Sequence, residues 1–362
     1  MSRNQHAPRQ RLTHLCAAAA LLGPAALPLA ASADERDSFR IAWSIYVGWM
    51  PWDYGEAEGI VDKWADKYDI EIDVVQINDY IESINQYTAD RFDGCAMTNM
   101  DALTIPASGG VDSTALIVGD FSDGNDGIVM KDEDNLEAIE GQRVNLVELS
   151  VSHYLLARGL ESVGLTERDL TVVNTGDADI VSAFSTPNVT SVVTWNPQLS
   201  TLLDQPNANL VFDSSEIPGE IMDLMVVNTE TLEAHPELGK ALTGAWYEIM
   251  ARMQGEDEMA HNARAHMAEA AGTDREGYER QLENTHMFYQ PADAVSFVTD
   301  PELKETMQRV AEFSFQHGLL GEQAPGPDVV GIETPSGIYG NERNVKLRFI
   351  SDYMEMAAEG EL

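Results

Sequence analysis

The chain has 362 residues, 44% of them hydrophobic, with 61 acidic against 22 basic side chains and a formal charge of −39. That balance excludes nucleic acid as a partner, because phosphate recognition needs basic patches that this sequence lacks. The length exceeds the usual size of one core and predicts two lobes.

The chain opens on a targeting pattern. Arg3, Arg9 and Arg11 precede the apolar run "LCAAAALLGPAALPLA", which ends in Ala31-Ser32-Ala33. This pattern predicts Sec-type export to the periplasm, with cleavage after Ala33. The run is too short and too interrupted by proline to span a membrane. "THLC" lacks the small residue expected before a lipidated cysteine at Cys16. Only Cys95 then remains, which excludes an internal disulfide and a cysteine-built zinc site. The acids are dispersed, as in "EDEMAHNARAHMAEAAGTDRE" (256–276), rather than gathered in a tail. Dispersal favours a solvated, halophile-like surface over a cationic macromolecular partner.

From "FRIAWSI" (39–45), a strand, the chain passes to the aromatic elbow "SIYVGWMPWDYG" (44–55) and a helix over 55–68. "IEIDVVQI" (70–77) alternates as a strand and "DYIESINQYTA" (79–89) reads as a helix. The cycle continues through "STALIVG", "QRVNLVE", "SHYLLARGLESVG", "LTVVN", "TSVVTW" and "ANLVF". Such alternation predicts parallel sheets built from right-handed crossovers. After "DLMVVN" (223–228) the pattern turns helical, with Asp300-Pro301 opening a helix whose apolar face is Leu303, Met307, Val310 and Phe313. The Gly- and Pro-rich tail is expected to wrap the surface.

Two polar, glycine-bearing stretches, "GDFSDGNDG" (119–127) and "SSEIPGEIMD" (214–223), read as crossings between lobes. The predicted organisation is a signal peptide over 1–33, a first lobe over 34–122, a second over 123–219, a helical return to the first lobe over 220–325, and a tail over 326–362. This is an α/β, two-lobed arrangement joined by two crossovers, with a ligand cleft between the lobes.

In open α/β lobes, ligands meet the carboxyl ends of strands and the helix starts beyond them. Those positions hold Tyr46, Trp49, Trp52, Asp79, Tyr80, Asn99, Asp101, Asp120, Glu148, Ser150, Trp195 and Asp223. They are mostly aromatics and carboxylates, without Lys or Arg. An anion would want arginine, lysine or bare helix N-termini. Aromatic faces edged with carboxylates suit a small, planar, N–H-rich molecule. Trp43 reads as strand core and Trp64 as helix packing, while Trp49 and Trp52 leave ligand contact and packing equally open. Asp101 reads more readily as the N-cap of "ALTIPA", and His153 more readily as a structural histidine. "DFSDGNDG" lacks EF-hand spacing, and H-E-x-x-H, G-x-S-x-G and a glycine-rich phosphate loop are all missing. No cofactor, metal or catalytic constellation is expected.

The motifs "SVSHYLLARGLESVGL", "VVTWNP" and "MVVNTETLEAHPEL" resemble periplasmic substrate-binding proteins of ABC importers, in the nitrate/taurine/sulfonate class. "SIYVGWMPW", "QINDYIESINQYTA", "MTNMDALTIPA" and "VNLVELSVSHYLLARGL" are similar to a branch described as urea importers, several of whose partner enzymes act on guanidine. The resemblance implies a binding protein of the type II-like fold, delivering guanidinium or urea to membrane permease subunits. Glu148-Leu149-Ser150 stands where sulfonate binders carry an anion-holding Gly/Ser turn, so a carboxylate there would repel an anion. Two other readings stay open. One is a fold-related pyrimidine-precursor synthase-type enzyme, for which Cys95 with His153 is the candidate pair. The other is a periplasmic sensor module.

Overall fold

The computed structural model describes residues 37–321 and 323–362. The predicted signal peptide, Cys16 and the cleavage site lie outside the described residues. The first stretch runs β1 (Ser38–Trp43), α1 (Met50–Ala57), α2 (Ile60–Lys67), β2 (Glu71–Gln76), α3 (Tyr80–Thr88), β3 (Gly94–Thr98), α4 (Asn99–Ala102) and β4 (Ser113–Ser122). The middle stretch runs β5 (Asp126–Lys131), β6 (Arg143–Leu146), α5 (Val151–Ser162), β7 (Thr171–Asn174), α6 (Ile180–Phe184), β8 (Ser191–Trp195), α7 (Gln198–Leu203) and β9 (Ala208–Asp213). The chain returns through β10 (Met222–Asn228), α8 (Thr229–Ala234), α9 (Pro236–Met253), α10 (Glu258–Ala270) and α11 (Arg275–Leu282). It ends with β11 (Thr285–Met287), α12 (Pro291–Thr299), α13 (Glu302–Gln316), β12 (Gly331–Thr334), β13 (Gly337–Tyr339), β14 (Val345–Phe349) and α14 (Asp352–Glu359).

Two sheets organise these elements. The larger has the order β13-β12-β14-β4-β10-β3-β1-β2, with β11 also paired to β4; the smaller has β7-β6-β8-β5-β9. At one edge of each sheet, β2-β1-β3 and β7-β6-β8 are parallel, as the strand–helix alternation predicts. The sheets are nonetheless mixed. β10 runs antiparallel to β3 and β4, and β5 antiparallel to β8 and β9. These strands begin just after a crossing, and a chain arriving from the other lobe enters its sheet from the facing end. The crossings themselves are short, 123–125 outward and 214–221 on return.

Local chemistry explains where the elements stop. The single helix expected over 55–68 is two, because Gly59 takes a left-handed φ of 65° between α1 and α2. Asp300 Oδ1 accepts the Glu302 amide at 2.9 Å and opens α13, whose Leu303, Met307 and Val310 are buried as their spacing predicts. The tail does not merely wrap the surface. β14 pairs parallel with β4, and Ile332, Leu347 and Phe349 enter the core. The alternating "VKLRF" supplies a buried face that the surrounding Gly and Pro disguise in composition. Among the described residues no helix is long and apolar enough to cross a membrane.

Candidate ligand-binding site

The aromatic elbow follows β1 directly. The Trp49 and Met50 amides both donate to Tyr46 O, at 2.9 and 3.2 Å, which folds the chain back before α1. Gly48 is required here, since a Cβ would lie 2.4 Å from Asp120 Oδ2. The close approach lets the Tyr46 hydroxyl donate to Asp120 Oδ1 at 2.8 Å.

From that contact a chain of rings runs between the lobes. Tyr46 meets Trp49 edge-on at 4.9 Å between centroids, and Trp49 meets Tyr80 at 5.5 Å. Tyr80 then meets Trp195, from β8 of the second lobe, at 5.7 Å. Trp195 Nε1 donates to Ile45 O at 3.4 Å, so the second lobe rests on the elbow of the first. These four rings, with Thr98, Asp126, Val151, Ile221 and Asp223, enclose a cavity of ≈ 10 Å³, room for about one water-sized group.

Four buried aspartates belong to this cage. Asp120 and Asp223 face each other across the β4–β10 pairing, and Asp126 opens β5 opposite Trp195. Asp101 takes bonds from the Tyr80 hydroxyl at 2.6 Å and the Thr98 hydroxyl at 2.9 Å. Burial pushes Asp101 up to about 6, against the lowering effect of those bonds. Burial likewise pushes Asp126 up to about 7, although Ser122 Oγ donates to it at 2.6 Å. Asp120 and Asp223 are both raised, by burial first. Tyr46 and Tyr80 stay protonated, raised by burial and then by Asp120 and Asp101 respectively.

Several buried polar atoms here lack a protein partner: Asp101 Oδ1, Asp120 Oδ2, Asp223 Oδ2, Trp49 Nε1 and both amide atoms of Asn125. Buried polar groups are normally satisfied, so such a concentration marks a place built to meet something else. Most of these atoms are acceptors, and no Lys or Arg lines the cavity.

The sequence-predicted residues divide. Tyr46, Trp49, Tyr80, Trp195 and Asp223 line the cavity, and Asp101 and Asp120 stand directly behind it on Tyr80 and Tyr46. Trp52 is core instead, tilted against Trp246 at 5.2 Å behind Trp49. Asp79 is exposed and caps α3 by accepting the Glu82 amide at 2.8 Å. Asn99 is occupied with the return crossing, donating to Glu220 O at 3.1 Å and accepting from the Met222 amide at 3.1 Å. Ser150 caps α5, accepting from the Ser152 amide and donating to Val147 O at 2.7 Å. Glu148 is exposed and its side chain does not line the cavity, because the turn into α5 carries it outward. Asp101 is not an N-cap; Thr98 caps α4, and Asp101 lies in its first turn. Asp126, Thr98, Val151 and Ile221 were not singled out by the sequence. For Asp126 the signal lay in "SDGND", read as a crossing and weighed only against a calcium loop.

No protein-family model matches the chain. The taurine-binding periplasmic protein of Escherichia coli is 25% identical over 117 residues, which is 32% of this chain and 36% of that relative. The match therefore spans about a third of the curated relative's length. Among solved structures, the alkanesulfonate-binding protein SsuA of Xanthomonas axonopodis pv. citri, bound to MOPS, superposes with a TM-score of 0.66 at 16% identity. That superposition covers 80% of this chain and 96% of the other. The fold is that of a periplasmic binding protein. The nitrate-binding protein NrtA of Synechocystis PCC 6803 superposes with a TM-score of 0.57 at 12% identity, covering 89% of this chain and 99% of that one. These neighbours are binding proteins rather than enzymes.

Proposed function

We propose that this periplasmic-binding-protein chain is the solute-binding component of an ABC importer and that it captures guanidinium in the cage between its lobes. The observation that carries the reading is four buried aspartates with no neighbouring cation. Ionised carboxylates in a low-dielectric interior are costly unless a positive charge joins them. A guanidinium ion brings that charge, a flat face for the rings, and N–H groups for the unpartnered oxygens. The taurine, alkanesulfonate and nitrate relatives are named for solutes that present a sulfonate or nitrate group, whose negative charge these carboxylates would repel. The closed cavity holds about one water-sized group, so a solute even as compact as guanidinium is seated only as the lobes part and close again around it.

Urea is the second reading, and one observation favours it. The Trp49 indole N–H has no partner and could donate to a carbonyl, as could a protonated aspartate. The enzyme alternative loses its candidate pair. Cys95 lies within β3, its thiol pushed up to about 12 by burial, and its sulfur donates to Ser83 Oγ and Ala96 O rather than meeting His153.

A thermal-shift screen at constant salt tests the reading, using guanidinium at concentrations far below denaturing, with urea, choline, nitrate and taurine beside it. A ligand at one hundred times its Kd adds about 2.7 kcal/mol of stability. Guanidinium is expected to give the largest rise in melting temperature. Nitrate or taurine leading the series would overturn the proposal, and choline leading it would replace an N–H-rich ligand with a purely aromatic cation trap.

A further inference from the structure

Away from the cage, the lobes meet a second time where α13 of the first lobe approaches α5 and the 3₁₀ turn Glu167–Asp169 of the second. His153 Nε2 lies 2.5 Å from Glu167 Oε1, and His317 Nε2 lies 3.0 Å from Glu167 Oε2. The ligating atoms of all three residues fall within 4.8 Å of one another. Beyond this contact, His153 Nε2 and Glu167 Oε1 have no other polar partner among the described residues. The His153 side chain is only 5% exposed, and those of Glu167 and His317 are 27% and 19% exposed.

We propose that His153, Glu167 and His317 form a binding site for a divalent transition metal such as Zn²⁺, with ligands drawn from both lobes. Two imidazoles and one carboxylate are the donor set that suits zinc while leaving a fourth position open. Glu167 and His317 border a surface groove of ≈ 920 Å³, which gives the ion an entry path. Zinc–ligand bonds of about 2.0–2.2 Å hold neighbouring donor atoms a little over 3 Å apart. The two His–Glu separations of 2.5 and 3.0 Å must widen slightly, while the widest spacing in the set, within 4.8 Å, must close. His317 is already oriented for this role, since its Nδ1 contacts Phe313 O at 2.9 Å and leaves Nε2 to the metal. His153 needs one adjustment. The Leu149 amide donates to its Nδ1 at 3.1 Å, so the ring proton resides on Nε2. Metal entry displaces that proton, and the exposed Leu149 peptide must turn aside so that Nδ1 can carry it. Arg158, Arg168 and Arg309 border the same groove; Arg158 and Arg309 are held by Glu220, at 2.9 and 3.6 Å, and Arg168 is not.

Zn²⁺ titration of the EDTA-stripped chain by calorimetry tests the site independently of the solute. One tight site per chain is expected. It should weaken about 10- to 100-fold or more in His317→Gln and in Glu167→Gln, and persist in His261→Gln, which alters an exposed histidine elsewhere. Co²⁺ substitution should give the strong visible absorption of a tetrahedral ion, lost in the same two variants. Melting curves in EDTA establish that each variant is folded. His317 is partly exposed, so its variant decides the matter should the buried His153 position not tolerate change. Absence of stoichiometric binding, or binding that His317→Gln leaves intact, overturns the proposal.

Discussion

The acids of this protein are treated in two ways, and the contrast separates scaffold from site. Glu220, on the return crossing, is 8% exposed and receives Arg158, Arg309 and the Tyr154 hydroxyl. Glu248 receives Lys63, Arg252 and the Trp64 indole, and Glu279 receives Arg264 and Arg275. For both, burial raises the carboxyl pKa but the bonds outweigh it, and the net shift is downward. In the cage the opposite holds. Asp101, Asp120, Asp126 and Asp223 are more deeply buried, are raised, and have tyrosine and serine or threonine hydroxyls or one another for company. A chain with only 22 basic residues still places them beside its structural glutamates. Withholding them from its most buried acids leaves room for a cation from outside.

The sharpest way to break this contrast is to remove the facing pair. In Asp120→Asn/Asp223→Asn, guanidinium affinity should fall at least a hundredfold by calorimetry, since charge-assisted bonds to a buried cation are lost. The solute-free protein should melt at a higher temperature, because two acids held against each other in a dry interior no longer strain it. The opposite signs matter. Loss of both affinity and stability would make the pair a structural element, like Glu220.

A weaker perturbation is pH. The cage carboxyls have folded-state pKa values raised to about 6 and about 7 for Asp101 and Asp126, above the 3.8 of an unperturbed aspartate. The folded state therefore binds protons more tightly than the unfolded one. The stability this contributes is complete below pH 4 and is lost as pH rises through 6 to 7. A bound cation favours the ionised form, so its affinity should run the other way. It should fall by up to about tenfold per pH unit for each proton retained, on acidifying below pH 7. Calorimetry in buffers of different ionisation enthalpy should detect protons released on binding. Affinity flat between pH 5 and 8 would place the ligand away from these acids.

Much of this was legible in the sequence. Strand–helix alternation marked both lobes, the two crossings fell within "GDFSDGNDG" and "SSEIPGEIMD", and the rings Tyr46, Trp49, Tyr80 and Trp195 were visible as strand-end aromatics. What failed was direction. A residue's place at a strand end does not say whether its side chain turns in or out. Asp79 and Ser150 satisfy helix amides, and Trp52 packs on Trp246. Asp126 was hidden because its role depends on lying opposite Trp195 in an antiparallel pairing, which spacing along the chain does not encode. The His153–Glu167–His317 cluster was hidden for a similar reason, its last member arriving from α13 long after the first two.

Glu148 gives the smallest expected effect and separates the two halves of the charge argument. The sequence offered it as the carboxylate that bars anions, yet its side chain is exposed and its backbone amide is bound by Asn174 Oδ1 at 3.0 Å. A charge in water beyond the cavity wall is screened over roughly 8 Å at physiological ionic strength. Glu148→Gln should therefore leave guanidinium affinity within about threefold of the parent, a change below 1 kcal/mol. A loss approaching that of the Asp120/Asp223 variant would mean that the lip of the second lobe folds inward on the bound solute, and that the buried aspartates share their task with it. An unchanged affinity assigns the selection against anions to the cage alone, where the negative oxygens have no water to dilute them.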